Sequence, residues 1–258
     1  VLNYPSLGGR ARFGFGGFEG ARRQSFAEAK RNYERRVKEI SDLLEEARHY
    51  ASARSANPTT ERDRKLEALV PVVRGESPVF LRAETARDIR NAVEFGKKEK
   101  LRIIIQGGRE ANKVSDLLKK ESVSVILESI VALPTREDDA YNARFTVPRD
   151  LARAGIKFAL SSPSSSDVRN LPYEAGFAEA YGLPHLDALK AVTLSPAEIL
   201  GVADRIGSIE KGKIADLVVT DGDILELRTG VKHVFVAGRS VSLETKHTRL
   251  YQQYVNRP

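Results

Sequence analysis

"PVFLRAE" (78–84) is an apolar run closed by a cation and a carboxylate, and its reading decides the fold. Continuous apolar character over so few residues reads as a strand covered on both faces, as in a parallel sheet. The pattern returns in "LRIIIQGG" (101–108), "VSVILESIV" (123–131) and "IKFALSS" (156–162). Helical segments lie between them. "ARDIRNAVEFGKKEK" (86–100) follows Thr85, which is placed to cap it. "REANKVSDLLKKE" (109–121) and "RDLARAG" (149–155) follow, the last with Pro148 in its first turn after the long loop "ALPTREDDAYNARFT" (132–146). Strand starts near 78, 101 and 123 give the period of β/α units. Chemistry in such folds gathers where strands end, and these ends hold Arg82, Glu84, Gln106, Gly107, Gly108, Glu128 and Ser162.

Upstream, "VLNYPSLGGRARFGFGGFEG" (1–20) reads as a Gly- and aromatic-rich loop, with a role at a pocket mouth as its functional alternative. An amphipathic helix is expected over about 25–52, with Val37, Ile40, Leu43 and Leu44 at core spacing. Thr60 can cap a short helix running to Leu69, which "VPVVRGESP" should end. Downstream, "SPSSSDVRNLP" (162–172) is a polar loop, and helices are expected near 172–182 and 185–192. "SPAE" (195–198) reads as a capping box started by Ser195. "IADLVVTDGD" (214–223) and "VKHVFVAGRSVSL" (231–243) then form a separate small β layer.

Composition narrows the function classes. The 258 residues are 41% hydrophobic and 30% charged, values of an ordinary globular chain. No apolar run approaches the roughly 20 residues of a membrane span, and the first residues lack the basic-then-apolar order of a signal peptide. Neither an exported nor a cytoplasmic location is selected. The absence of cysteine removes disulfides, thiolate catalysis and thiolate metal ligands. The chain also contains no methionine. The net charge of +7 is spread through segments such as 29–50, where both signs alternate and Arg35 stands four residues before Glu39. That is a solvated helix face rather than a nucleic-acid surface.

The stretch "LSPAEILGVADRIGSIEKGKIADLVVTDGDILELRTGVKHVFVAGRSV" (194–241) resembles the C-terminal end of amidohydrolase-superfamily enzymes. The similarity is to the imidazolonepropionase-like and prolidase-like branch. Its elements come in order: Ala-Glu-x-x-Gly, Gly-Ser-Ile-Glu-x-Gly-Lys, Ala-Asp-Leu-Val-Val and Asp-Gly-Asp. "RNLPYEAGFAEAYGLPHLDALKAVT" (169–193) also resembles the segment after the last barrel strand. The likeness covers 78–243 well and the first 77 residues loosely.

The resemblance implies an α/β fold, a TIM-type (β/α)8 barrel with a composite β-sandwich. Strands five to eight would be the four seen here, within residues 1–205. Residues 206–245 would be the C-terminal sandwich contribution, and 246–258 a tail. It further implies hydrolysis of carbon–nitrogen bonds, in non-peptide amides, cyclic amides or dipeptides, assisted by zinc or another divalent metal. The implied ligands are His at the ends of strands one, five and six and Asp at the end of strand eight, sometimes with a carboxylated Lys or a Glu on strand four.

Position by position, this chain departs from that set. Arg82 stands where the strand-five His belongs, and a permanent cation without a lone pair repels a metal. Gly107 stands at the strand-six position and Pro163 at that of the strand-eight Asp, with Asp167 four residues later. No strand-one His-x-His pair occurs in the chain. The four histidines, His49, His185, His233 and His247, end no barrel strand. "SSPSSSD" (161–167) lacks a partner His and a nucleophile elbow, and "QGGRE" (106–110) lacks the further glycines and Lys of a phosphate loop. No cofactor and no metal is therefore expected from these residues. The pocket candidates are Arg82, Glu84, Gln106, Glu128, Ser162 and Asp167.

Three readings follow. One is a metal-deficient homologue that is non-catalytic or binds a small-molecule ligand. The second is an active metal enzyme whose His-x-His lies outside this sequence. The third is a non-catalytic partner of a ligand-complete homologue. Partners expected are a small molecule and further copies or a homologue in an oligomer, with neither nucleic acid nor membrane.

Overall fold

A computed structural model of the protein describes residues 2, 4–6, 26–134, 137–162 and 164–255. Most of the Gly-rich opening segment, two residues of the 132–146 loop and Pro163 lie outside the described residues. The chain forms two compact units, Val1–Phe158 and Ala159–Pro258.

The first unit begins with α1 (Phe26–Ala56) and α2 (Arg64–Val73). Asp63, not Thr60, caps α2 by accepting from the Lys65 and Leu66 amides, and the helix passes through Pro71 to Val73. The expected stop at "VPVV" fails because the bonds that Pro71 cannot make are few in so short a helix, while Gly75, with φ of 74°, supplies the turn beyond it. Three β/α units follow: β1 (Val79–Ala83), α3 (Ala86–Lys98), β2 (Ile103–Gly107), α4 (Ser115–Lys120), β3 (Ser124–Glu128) and α5 (Val147–Ala154). Thr85 caps α3 through the Asp88 amide, as the sequence predicts. Pro148 lies in the first turn of α5, and Gly155 ends that helix in the left-handed region. The segment 109–121 divides into a 3-10 turn (Ala111–Val114) and α4.

β1, β2 and β3 are parallel neighbours, with Arg82 opposite Gln106 and Gln106 opposite Ile126. β4 (Phe158–Ser161) follows in the order β1-β2-β3-β4. Leu2 adds a parallel bridge to Leu81 at the other side of β1. One face of β1–β3, with Leu81, Ala83, Ile105, Val125 and Leu127, is buried. Ile103 on that face packs where Gly96 of α3 leaves no Cβ in its way. The other face alternates with it and carries a buried Ile104 among Phe80, Arg82, Gln106, Ser124, Ile126 and Glu128, which are only partly buried or exposed. Covered on both faces was the expectation; polar residues at alternate positions leave the second face half-open.

The second unit contains α6 (Leu171–Ala180), α7 (His185–Val192) and α8 (Leu194–Leu200). Buried alanines at 175, 178, 188, 191 and 197 let these helices approach closely. α8 starts at Leu194, so Ser195 lies inside it and the expected capping box does not form. β5 (Leu217–Thr220), β6 (Val231–Val236) and β7 (Arg239–Val241) make the separate antiparallel layer. Within the expected tail, Lys246–Val255 forms α9. No described helix is long and apolar enough to cross a membrane.

Candidate functional site

Three of the candidate side chains meet at the carboxyl edge of the sheet. Arg82, Gln106 and Glu128 stand on the same face of β1, β2 and β3, because residues alternate between faces and the parallel register brings these positions level or two residues apart. The Arg82 guanidinium donates to Glu128 Oε2 at 2.5 Å. Gln106 Nε2 donates to Glu128 Oε1 at 3.0 Å. Each Glu128 oxygen is thus engaged by a different strand, and its side chain is only 16% exposed. Gln106 Oε1 is buried and has no hydrogen-bond partner among the described residues. An acceptor in that condition carries a desolvation cost that a donor from a bound molecule would relieve.

Glu84 is not the carboxylate that meets Arg82. It lies over Gly107 and takes the Arg109 amide at a long 3.4 Å. Beside this edge, Arg109, Glu128 and Arg144 help line a small, partly open pocket. Ser162 and Asp167 belong to the second unit. There Ser162 Oγ donates to the Ser164 carbonyl and Ser164 Oγ donates to Asp167 Oδ2 at 2.6 Å. Both are occupied in the turn they build, and Pro163 between them is outside the described residues.

The sequence passed over one cluster, also in the second unit. His185 Nδ1 lies 3.1 Å from a Glu179 oxygen and 3.5 Å from Asp223 Oδ2. The Glu179 hydrogen bond is the largest influence and pushes the His185 pKa up from its ordinary 6.5; desolvation opposes it, and the charges of Glu179 and Asp223 add to the rise. The three residues are spread over 179–223, so no local motif announces them.

The amidohydrolase-family profile matches residues 85–241, more than half of the chain. The chain belongs to the amidohydrolase family. Imidazolonepropionase of Treponema denticola is 28% identical over 197 residues, covering 68% of this chain and 48% of that protein. The amidohydrolase tasK of Hapsidospora irregularis is 25% identical over 200 residues, covering 72% of this chain and 20% of that protein. An amidohydrolase structure from Thermotoga maritima aligns with a TM-score of 0.73 at 28% identity, covering 83% of this chain and 60% of that one. The chain therefore spans about half or less of these curated relatives. The parallel β/α series and separate antiparallel layer are part of a TIM-type barrel with its β domain.

The divalent metal implied by the family does not fit the residues at these strand ends. Arg82 brings a positive charge, and its nearest carboxylate is already bonded to it. Gly107 has φ of 103°, and a Cβ built there would lie 2.6 Å from Glu84 Oε1. A side-chain ligand at that position would strain the backbone and displace Glu84. The donor set of these strand ends is two carboxylates, an amide and a guanidinium, which can hold a polar ligand by hydrogen bonds and charge.

Proposed function

We propose that this chain is an amidohydrolase-family protein whose barrel mouth binds a small amide-bearing ligand without metal-dependent hydrolysis. The observation that carries this reading is the Arg82–Glu128 ion pair, bonded at 2.5 Å across the ends of β1 and β3. A guanidinium fixed there opposes a second cation and offers donors to a carbonyl or carboxylate. Gln106 Oε1, buried and unpartnered among the described residues, is placed to accept an amide N–H. An amide, cyclic amide or N-acylated amino acid supplies both complements. The names of the relatives, imidazolonepropionase and amidohydrolase, agree with amide-type ligands.

Turnover and binding separate this reading from its alternatives. Calorimetry with a panel of cyclic amides and N-acyl amino acids should give binding that Gln106→Leu weakens, with no turnover that a chelator abolishes. Chelator-sensitive hydrolysis by the chain itself, restored by added zinc, would overturn the proposal in favour of an active metal enzyme. Hydrolysis that rises only when a ligand-complete homologue is added would assign the partner-subunit role instead.

A further inference from the structure

The chemistry of Glu179, His185 and Asp223 has no place in the barrel-mouth reading. Glu179 lies near the end of α6, His185 opens α7, and Asp223 follows β5. Their ligand-type atoms, one from each residue, all lie within 4.8 Å of one another. His185 Nδ1 is at the centre, 3.1 Å from Glu179 and 3.5 Å from Asp223. Zinc bonds of about 2.0–2.2 Å to nitrogen and oxygen in a tetrahedron place neighbouring donors ~3.3–3.5 Å apart. Of the observed separations, 3.5 Å lies at the upper end of that range and 3.1 Å falls just short of it.

A hydrogen-bonded ion pair accounts for this convergence less completely. Both Glu179 oxygens, at 3.2 and 3.1 Å, and Asp223 Oδ2, at 3.5 Å, approach one nitrogen that carries a single N–H. A cation at their common vertex would satisfy all three. The donor types agree, since imidazole and carboxylate together suit first-row divalent ions.

We propose that Glu179, His185 and Asp223 form a binding site for a divalent first-row cation, typified by Zn2+, distinct from the strand-end site. On binding, Nδ1 gives its proton to solvent and its lone pair to the metal, while each carboxylate contributes one oxygen. Coordination would tie α6, α7 and the turn after β5 together. A fourth position would be left to water.

The test is a ZnCl2 titration of the full chain after metal removal, read by calorimetry and by metal analysis after dialysis. The expected result is one equivalent of zinc together with a zinc-dependent rise in the thermal midpoint. Loss of an outer hydrogen-bond partner already costs about 10–100-fold in metal affinity, so His185→Ala should cost at least as much. Asp223→Asn, an isosteric change at a half-exposed position, carries the same expectation should His185→Ala fold poorly. His49→Ala removes an exposed imidazole on α1 and should leave binding intact. Absence of stoichiometric uptake, or uptake unchanged by both His185→Ala and Asp223→Asn, would leave only an ion pair and overturn the site. Failure here leaves amide binding at Gln106 untouched, so the two proposals stand or fall separately.

Discussion

Arg82 and Glu128, 46 residues apart in sequence, meet at 2.5 Å across the ends of β1 and β3 with Gln106 of β2 between them. Glu128 receives both of the other residues, so it is the centre of this small network. Removing it strands two partners, whereas removing Arg82 strands one.

That asymmetry sets an order of stability. Glu128→Ala leaves Gln106 Nε2 without its acceptor beside an already unpartnered Oε1, a loss of about 1–3 kcal/mol. Arg82→Ala removes a guanidinium that is 41% exposed, and solvent screening holds its effect to about 1 kcal/mol or less. Urea unfolding of both variants checks this. Equal losses would show that the network does not centre on Glu128.

Restoring a family-type ligand at the strand-six position should fail on the backbone. Gly107→His puts a side chain at φ of 103° and onto the Glu84 carboxylate, costing about 1–3 kcal/mol from the backbone strain alone. The expected outcome is a lower thermal midpoint with no gain in zinc affinity over wild type. A variant as stable as wild type that takes up an additional equivalent would show that the strand end adapts easily.

The pH dependence of the first unit should carry a contribution from Glu121. Its carboxylate, at the end of α4, accepts from Lys97 Nζ at 2.7 Å, which holds its pKa below the ordinary 4.5. A depressed carboxylate pKa means stability present above the unfolded value near 4.5 and lost as pH falls through the lower folded value. Carbon-13 titration of the Glu121 carboxyl should show a midpoint below 4.5 that returns toward it in Lys97→Ala. Identical midpoints in the two proteins would contradict the pairing. Lys97 is exposed and Glu121 partly so, and added salt should shrink the difference.

The candidate list was half legible because the four strand ends are local signals and their partners are not. Arg82, Gln106 and Glu128 could each be named from the apolar runs they close. Glu84 stands two residues from Arg82 in sequence, yet the register pairs Arg82 with Glu128. Ser162 and Asp167 were found in sequence as strand-end polar groups, yet each is bonded within its own turn. His185 ends no barrel strand, and its ligand-type neighbours lie six residues before it and in a turn beyond β5, so the sequence alone does not single it out.

The sequence by itself determined the β/α series, the cap at Thr85, Pro148 in the first turn of α5, the separate β layer and, through 194–241, the family resemblance. These follow from periodicity, turn chemistry and motif order, which act over a few residues at a time. Only the tertiary structure decided which charges meet. Pairing across a parallel sheet depends on register and on which face each residue takes, and those are fixed when distant segments pack rather than when each segment forms.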